Sequence, residues 1–474
     1  MKHPPSCRSD MKFEECELAI LRQAIDESEK EVQAKIANSD DIKKMVNILE
    51  KFLKKKRSVC YGGTAINNIL PKHAQFYNRD VEIPDYDFFS PNALKDAKEL
   101  ADIYFREGYS DVEAKSGIHF GTYKVFVNFI PMADITQMNI HLFRSVLKES
   151  ISIDGIHYAP ANYLRMNMFI ELSRPKGDVS RWEKVLKRLN LLNKYYPLGS
   201  ETLDCQSVDF QRKMESLQTE SEKIYIVTRD TFIEQEVIFF GGFASSLYSK
   251  YMPAETKHLV KSIPDFDVLS EDIELCASIL KMKLESMNLS AKVNIIKHKA
   301  IDEIIPRHLE ICVGKETIAF IYEPIACHNY NMISLNGKKE EKQIRVATID
   351  TMLSFYLAFL YANQPYYYKD RILCIAKFLF DVEQRNRLEQ KGLLKRFSIE
   401  CYGKSSTLEN IRAEKAKKFR ELQNKKNTLE YEEWFLKYNP AEKRKPKMTT
   451  KRKRYYNRKR EDFRNFFSRK KRIY

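Results

Sequence analysis

The sequence lacks several features that would place the chain outside the cell or in a membrane. No two of its nine cysteines form a CxxC pair, so neither a disulfide framework nor a zinc cluster is indicated, and free thiols in a reducing compartment are expected. The longest apolar run, residues 352–362, is too short to span a bilayer and predicts a buried helix. The N-terminal residues lack the apolar core of a secretory signal. The sequence therefore predicts a soluble intracellular protein with no membrane partner.

Acidic residues are scarce at the C-terminal end. Residues 441–474 hold 16 Lys or Arg and three acidic residues, so +13 of the net charge of +16 lies there, and the rest of the chain is nearly neutral. Six aromatic residues are interleaved with these cations. Because cations neutralise phosphates and aromatic rings stack on unpaired bases, the tail predicts contact with single-stranded nucleic acid; a targeting signal or a solvated tail is the alternative. The candidate contacts are Lys451, Arg452, Lys453, Arg454, Tyr455 and Tyr456.

The body of the chain mixes helical and strand patterns. Its 474 residues suggest about three domains, and an apolar content of 43% is ample for real cores. Residues 1–50 have apolar positions at helical spacing. Residues 123–136 predict one strand, with Val125, Val127 and Phe129 on one face. This mixture favours an α/β layer architecture over a helical bundle.

An internal repeat is the most informative feature of the sequence. The segments "IPDYDFFS" (83–90) and "IPDFDVLS" (263–270) share five of eight letters. Each follows a Gly-Gly turn, with 22 residues from the second glycine to the first aspartate in one copy and 23 in the other. Further on, "NFIPMADIT" (128–136) aligns with "IYEPIACHN" (321–329) on a shared proline and alanine. The chain therefore carries a duplicated unit.

The first copy has the residues of a nucleotidyl-transfer site. In a strand, Asp85 and Asp87 project to the same side, and two carboxylates that close repel unless a cation such as Mg²⁺ lies between them. Asp134, at the end of a nearby strand, would complete a site for two ions. Gly62 and Gly63 would let backbone N–H groups approach a triphosphate.

Thr64 could add a hydroxyl contact to that triphosphate. Each part of the pattern also has a plain explanation, because a Gly-Gly pair is often a turn and an Asp-x-Asp pair often lies at a surface or a helix cap. The parts taken together, and in this order, favour the metal site.

These residues resemble the DNA polymerase β-type nucleotidyltransferase superfamily, whose pattern is a Gly-Gly or Gly-Ser turn, an Asp-x-Asp or Asp-x-Glu pair and a third carboxylate. The chain is similar to the poly(A) polymerase catalytic subunits of large cytoplasmic DNA viruses over residues 50–440. The longer gap between glycines and aspartates indicates an insertion. The resemblance implies an α/β (α+β) fold with two tandem mixed-sheet nucleotidyltransferase-like units and helical flanks. The expected segments are a helical part (1–50), a catalytic domain (51–150), a helical part (151–222), a degenerate second domain (223–345), a helical region (346–440) and the basic tail (441–474).

The resemblance also implies roles. Gly62 and Gly63 would hold the phosphates of ATP, Asp85 and Asp87 would bind both Mg²⁺ (or Mn²⁺) ions, and Asp134 would ligate the ion that activates the RNA 3′-hydroxyl. The second copy keeps Gly241, Gly242, Asp265 and Asp267. Cys327 takes the aligned place of Asp134, so this copy is expected to be structural.

The expected activity is addition of AMP from ATP to RNA 3′ ends, forming poly(A) tails. A uridylyl or tRNA-end transferase would share the metal site, a transferase acting on proteins or small molecules would not need the tail, and a non-catalytic RNA-binding protein would not need Asp134. The resemblance further implies a homodimer or a separate processivity subunit. It also implies action in the host cytoplasm, in the viral factory, with packaging in the virion as a further expectation.

A second, weaker candidate region follows residues 175–177. Arg181, Trp182 and Lys184 could reach a base or a triphosphate, whereas an amphipathic helix that packs Trp182 and Val185 inward is the favoured interpretation.

Overall fold

The computed structural model describes Cys7 and most of residues 10–443. The residues it leaves out within that span are 81, 200–203, 206, 207, 209, 211–219, 253–256, 258, 259, 261–263, 337–340, 387 and 406. The six predicted nucleic-acid contacts in the tail therefore lie outside the described residues. Within the described part, no helix is both long and apolar enough to cross a membrane.

The first half of the chain builds an eight-stranded mixed sheet flanked by helices. Its helices are α1 (Phe13–Ala37), α2 (Asp40–Lys56), α3 (Gly62–Ile69), α4 (Ala93–Arg106), α5 (Ile140–Lys148), α6 (Ala161–Leu172) and α7 (Trp182–Tyr195). Its strands are β1 (Val59–Tyr61), β2 (Tyr86–Ser90), β3 (Val112–Ser116), β4 (Thr122–Val127), β5 (Ile130–Gln137), β6 (Ile151–Ile153) and β7 (Ile156–Tyr158). The eighth strand comes from the far end of the chain.

The second half repeats this arrangement. Its helices are α8 (Ser221–Glu234), α9 (Gly241–Tyr248), α10 (Ile273–Glu285), α11 (Ile349–Phe359), α12 (Lys369–Arg385), α13 (Leu408–Leu422), α14 (Leu429–Phe435) and α15 (Pro440–Lys443). Its strands are β8 (Ile238–Phe240), β9 (Phe266–Leu269), β10 (Val293–His298), β11 (His308–Val313), β12 (Glu316–Tyr322), β13 (His328–Asn336), β14 (Glu341–Ala347) and β15 (Cys401–Tyr402); β16 (Lys437–Tyr438) joins the first sheet.

The strand orders confirm the predicted duplication. The first sheet runs β16-β3-β4-β5-β2-β1-β7-β6 and the second runs β10-β11-β12-β9-β8-β14-β13-β15. Strands β3, β4, β5, β2, β1, β7 and β6 thus correspond in order to β10, β11, β12, β9, β8, β14 and β13. In both units a short strand leads into a helix that begins at the Gly-Gly pair. The mixed-sheet fold is as predicted, while the first sheet also takes in residues 151–158 and 437–438, which the expected segmentation assigned to helical parts.

The local predictions hold at the helices and fail at one strand. Two helices occupy most of residues 13–56, and the apolar run at 352–362 begins inside the fully buried α11. Residues 123–136, predicted as one strand, form the hairpin of β4 and β5 instead. The turn needs positive φ angles at Asn128 (49°) and Phe129 (67°), so Phe129 is 85% exposed while Val125 and Val127 are buried. The alternating pattern continued through the turn and concealed it.

The two units contact each other directly. The backbone N–H of Asn139 donates to the carboxylate of Asp302 at 2.9 Å, and Lys369 pairs with Glu149 at 2.5 Å. Between them α6 lies against α11. The two units therefore share one hydrophobic core.

The cysteines contradict the expectation of free thiols for six of the nine. Disulfides join Cys7 to Cys16, Cys205 to Cys374 and Cys327 to Cys401, with Cα–Cα distances of 5.1, 5.5 and 5.2 Å. The other three, Cys60, Cys276 and Cys312, are buried thiols outside these disulfides. Two of the pairs are separated by 169 and 74 residues. The absence of CxxC pairs carries no information about such contacts, because the tertiary fold alone brings them into bonding range.

Candidate active site

The Gly-Gly turn lies against the aspartates. Gly62 has a φ of 72°, in the region that favours glycine, and a Cβ atom there would stand 2.6 Å from the Asp87 carboxylate. A Cβ on Gly63 would meet the Tyr77 hydroxyl at 2.7 Å and the Arg188 guanidinium at 2.9 Å. Both glycines are therefore required by close approach, Gly62 to a carboxylate and Gly63 to two hydrogen-bond donors.

Thr64 is placed differently from its prediction. Its hydroxyl donates to the backbone carbonyl of Asp85 at 2.5 Å, and the residue is only 4% exposed. The side chain therefore anchors the aspartate segment to the turn instead of presenting a hydroxyl to a nucleotide.

The three aspartates converge across two neighbouring strands. Asp87 on β2 lies directly opposite Asp134 on β5 in a parallel pairing, and Asp85 precedes Asp87 by two residues. Asp85 is exposed, while Asp87 and Asp134 are half-buried. Sequence reasoning thus named three carboxylates that the fold does bring to one place. The roles assigned to them stay predictions.

The electrostatics reflect the crowding of like charges. Burial raises the pKa of Asp87 to about 7, and the charges of Asp85 and Asp134 push it in the same direction, while Lys124 and Arg181 oppose them. Such a shift is expected where carboxylates share a site without enough compensating cation. The site is therefore arranged to gain from an added positive charge.

Cations from two elements already face these carboxylates. The ammonium of Lys124 on β4 forms an ion pair with Asp134. Burial raises the pKa of Asp85, and the charges of Lys124 and Lys184 oppose that rise. Arg188, one helical turn after Lys184 on α7, donates to the hydroxyl of Tyr77 above Gly63.

The structure agrees with the packing interpretation of the Arg181 region, and contact with a base or a triphosphate stays a prediction. Trp182 donates its indole N–H to the Glu171 carbonyl at 2.9 Å, and Val185 is 3% exposed, as the packing interpretation expected. The charges of Arg181 and Lys184 nevertheless act on the aspartates.

Three side chains at the site were missed from the sequence: Lys124 beside Asp134, and Tyr77 and Arg188 beside Gly63. Two of them had a signal. Arg188 follows Lys184 at helical spacing, and Lys124 alternates with the buried Val125. Tyr77 lies in the long segment between glycines and aspartates, where no pattern marks it.

The donor set fits a divalent cation, although it is not closed around one. Among the described residues no group of three His, Cys, Asp or Glu side chains is gathered as a ready metal site. Lys124 supplies the positive charge at Asp134. Carboxylate oxygens are the hard ligands that Mg²⁺ and Mn²⁺ prefer, and here the Lys124 ammonium occupies the place of a cation beside one of them.

The corresponding place in the second unit is closed. Asp267 on β9 lies directly opposite Phe320 on β12, in the pairing that joins Asp87 to Asp134 in the first unit. Phe320 is completely buried, and Asp265 and Asp267 are 5% and 7% exposed. An apolar ring therefore stands where a third carboxylate would be needed.

The prediction that Cys327 occupies the place of Asp134 is wrong. Cys327 lies beyond the end of β12 and is bonded to Cys401. The shared proline and alanine misaligned the two segments, because strand register, not a two-letter match, decides which side chains are equivalent.

The first unit is similar to a known family of proteins. Residues 47–178 match the family model for the poly(A) polymerase catalytic subunit, and this stretch contains the Gly-Gly turn and all three aspartates. The predicted resemblance is thereby confirmed for this part of the chain.

Particular relatives come from large DNA viruses. A protein of African swine fever virus (strain Badajoz 1971 Vero-adapted) named as a poly(A) polymerase catalytic subunit is 32% identical over 172 residues, which cover 35% of this chain and 36% of that protein. A mimivirus protein of the same name is 32% identical over 159 residues, or 32% of this chain and 26% of that protein. The chain thus aligns with about a third or less of each relative's length.

The fold as a whole is similar to that of the Megavirus polyadenylate synthase. The two structures superpose with a TM-score of 0.74 over 97% of this chain and 92% of that one, at 18% identity. The likeness extends over both units, so the duplicated architecture is shared.

Proposed function

We propose that the protein is a polynucleotide adenylyltransferase that adds AMP from ATP to RNA 3′ ends. The observation that carries the proposal is the direct pairing of Asp87 with Asp134 beside the Gly62–Gly63 turn, inside the segment that matches the poly(A) polymerase catalytic family. The names of the relatives supply the choice of RNA and adenine.

In the proposed reaction the RNA 3′-oxygen attacks the α-phosphorus of ATP, and the bond to pyrophosphate breaks. Asp85, Asp87 and Asp134 would hold two Mg²⁺ or Mn²⁺ ions, which when bound would lower the pKa of the hydroxyl and neutralise charge on the phosphates. Arg188 and Tyr77 lie against Gly63 and would donate hydrogen bonds to the triphosphate. Lys124 compensates the charge of Asp134 before substrates bind.

The partners follow from the same proposal. They are the RNA 3′ end, ATP and, because the relatives are named as catalytic subunits, a further subunit or a second copy of this chain. The setting that goes with them is the viral factory in the host cytoplasm, with packaging in the virion. The second unit would serve as a structural lobe, since its aspartates are buried.

An extension assay tests the proposal. An RNA oligonucleotide is incubated with the protein, Mg²⁺ or Mn²⁺ and each nucleoside triphosphate singly, and long products with ATP alone are expected. Asp134→Asn should remove extension without lowering the melting temperature. Asp154→Asn is the matched control, because Asp154 is exposed in the turn between β6 and β7 and has a φ of 52°, which asparagine also adopts. Extension with all four nucleotides, or an active Asp134→Asn protein, would contradict the assignment.

A further inference from the structure

A row of side chains crosses the open face of the first sheet, from the carboxylates to its outer edge. Residues directly opposite one another on neighbouring strands point to the same face. The pairs Asp87–Asp134, Asp134–Lys124, Lys124–Lys115 and Lys115–Lys437 are all directly opposite. Lysines on three successive strands, β4, β3 and β16, therefore lie in line with the aspartates.

The lysines of this row are accessible. The side chains of Lys115 and Lys124 are 44% and 38% exposed, and Lys437 is exposed. The neighbours Ala114 and Val125 are buried on the other face of the sheet, toward α4.

An aromatic ring and one acid accompany the row. The Lys115 ammonium lies 4.0 Å from the centre of the Phe126 ring and 3.4 Å from the carboxylate of Glu113. An ion pair that is this long and this exposed contributes little and yields readily to a phosphate. The ring offers a face on which a base could stack.

The second unit lacks the row. The residues that correspond to Lys124 and Lys115 are Glu310 and Ile296, which lie opposite Phe320 and Glu310 respectively. No strand beyond β10 extends that sheet in the described part of the chain. The lysines therefore accompany the open carboxylate site and are absent beside the closed one, which is not expected of cations that only solvate a sheet.

The outer end of the row leads to the basic tail. Lys437 is followed by α15, which ends at Lys443 against α4 and β3. Beyond it, residues 444–474 hold 15 Lys or Arg and two acidic residues. The most basic segment of the sequence therefore begins within seven residues of Lys437 along the chain.

We propose that Lys115 and Lys437, together with Lys124 nearer the site, bind the phosphates of the RNA strand immediately upstream of its 3′ end. Neighbouring strands lie about 4.8 Å apart, so Lys115 and Lys437 stand about 10 and 14 Å from Asp134 along the sheet. A stacked strand carries one charge per ~3.4 Å, so the row spans about three or four phosphates. Contacts to phosphates carry no sequence information, which suits an enzyme that extends many different RNAs. This inference rests on the proposed function.

The test measures RNA binding by the full chain without ATP, using fluorescent oligonucleotides of two and ten nucleotides at several salt concentrations. For the decamer, the Lys115→Gln/Lys437→Gln protein should lose about 1.4 from the slope of log affinity against log salt, and affinity should fall roughly 25-fold at 0.1 M salt. The dinucleotide, too short to reach either lysine, should bind as it does to the unchanged protein. Lys115→Arg/Lys437→Arg should keep most of the affinity for the decamer.

Lys95→Gln/Arg106→Gln is the matched control, because it removes the same charge from exposed positions of α4 on the other side of the sheet. It should leave the decamer's affinity and salt slope nearly unchanged. An unaltered affinity and slope in the Lys115→Gln/Lys437→Gln protein would overturn the inference, as would an equal loss in the control. Since binding is read without catalysis, a protein that binds as expected but extends no RNA would refute the proposed function and not the row.

Discussion

Across the first sheet, one row of directly opposed side chains reads Tyr61, Asp87, Asp134, Lys124, Lys115 and Lys437. Across the second sheet, the corresponding row reads Phe240, Asp267, Phe320, Glu310 and Ile296. Seven strands, their order and the Gly-Gly turn are the same in both, while β16 has no counterpart beside β10 in the described part of the chain. One aspartate is retained, while the third carboxylate and the lysines are replaced.

The comparison separates what the fold needs from what the chemistry needs. Asp265 and Asp267 lie against Gly242 and Gly241 in the second unit, as Asp87 lies against Gly62 in the first. The contact between turn and aspartate therefore survives where the site is closed, which indicates a structural part in holding the strand to the helix. The third carboxylate has no such part, because an apolar ring replaces it in an intact sheet.

The largest expected effect is the difference in extension activity between substitutions of the equivalent aspartates Asp87 and Asp267. Asp87→Asn should lower ATP-dependent extension roughly 1,000-fold or more, because it removes the carboxylate proposed to ligate both metal ions. Asp267→Asn should leave extension within a few-fold, with its cost appearing in the melting temperature. Extension and melting are measured on both proteins. A double mutant less active than Asp87→Asn alone would show that the second unit is catalytic and that the comparison is inverted.

A smaller effect is expected from rebuilding the missing carboxylate. Phe320→Asp should destabilise the protein by at least about 3–5 kcal/mol, since it removes a buried ring and buries a charge. It should create no extension activity in an Asp87→Asn background. Phe320→Leu is the control and should cost less, because it keeps the site apolar. Denaturant unfolding gives both values, and a stable, active Phe320→Asp protein would mean that the closed site needs only one residue to work.

The smallest expected effect is a change in the stability of the second unit at acidic pH. Burial lowers the pKa of His308 in the second unit to about 4, against about 6.5 in an unfolded chain. Between these values the unfolded state binds more protons, so the contribution of His308 to stability is present above pH 6.5 and is lost as the pH falls toward 4.

Unfolding free energies of the original protein and of His308→Gln should therefore converge as the pH is lowered through this range. Their difference should change by on the order of 1–3 kcal/mol. A constant difference for His308→Gln would contradict the prediction.

Short-range sequence patterns were enough to predict the Gly-Gly turn and the aspartates. The register between strands that are distant in the sequence could not be predicted from them. Gly62, Asp85 and Asp87 occur within one stretch whose spacing and residue types limit the chemistry. The equivalence of Asp134 with Phe320 depends on how β12 pairs with β9, which a misleading proline hid. The same holds for the row of lysines, because Lys437 reaches Lys115 from more than 300 residues away in the sequence.

The hairpin of β4 and β5 shows a related limit. A positive φ is seldom apparent from the sequence when the residue is not glycine. Here an asparagine and a phenylalanine make the turn. The predicted domain boundaries could not anticipate that the first sheet takes its eighth strand, β16, from the C-terminal part of the chain.

The two long disulfides interlock. Cys205 is bonded to Cys374 and Cys327 to Cys401, so the second bridge begins inside the loop that the first one closes and ends outside it. A single cut of the backbone between β13 and β14 lies within both loops. The resulting pieces would stay joined by two covalent links, and the cleaved protein would run as one band on a gel until a reductant is added.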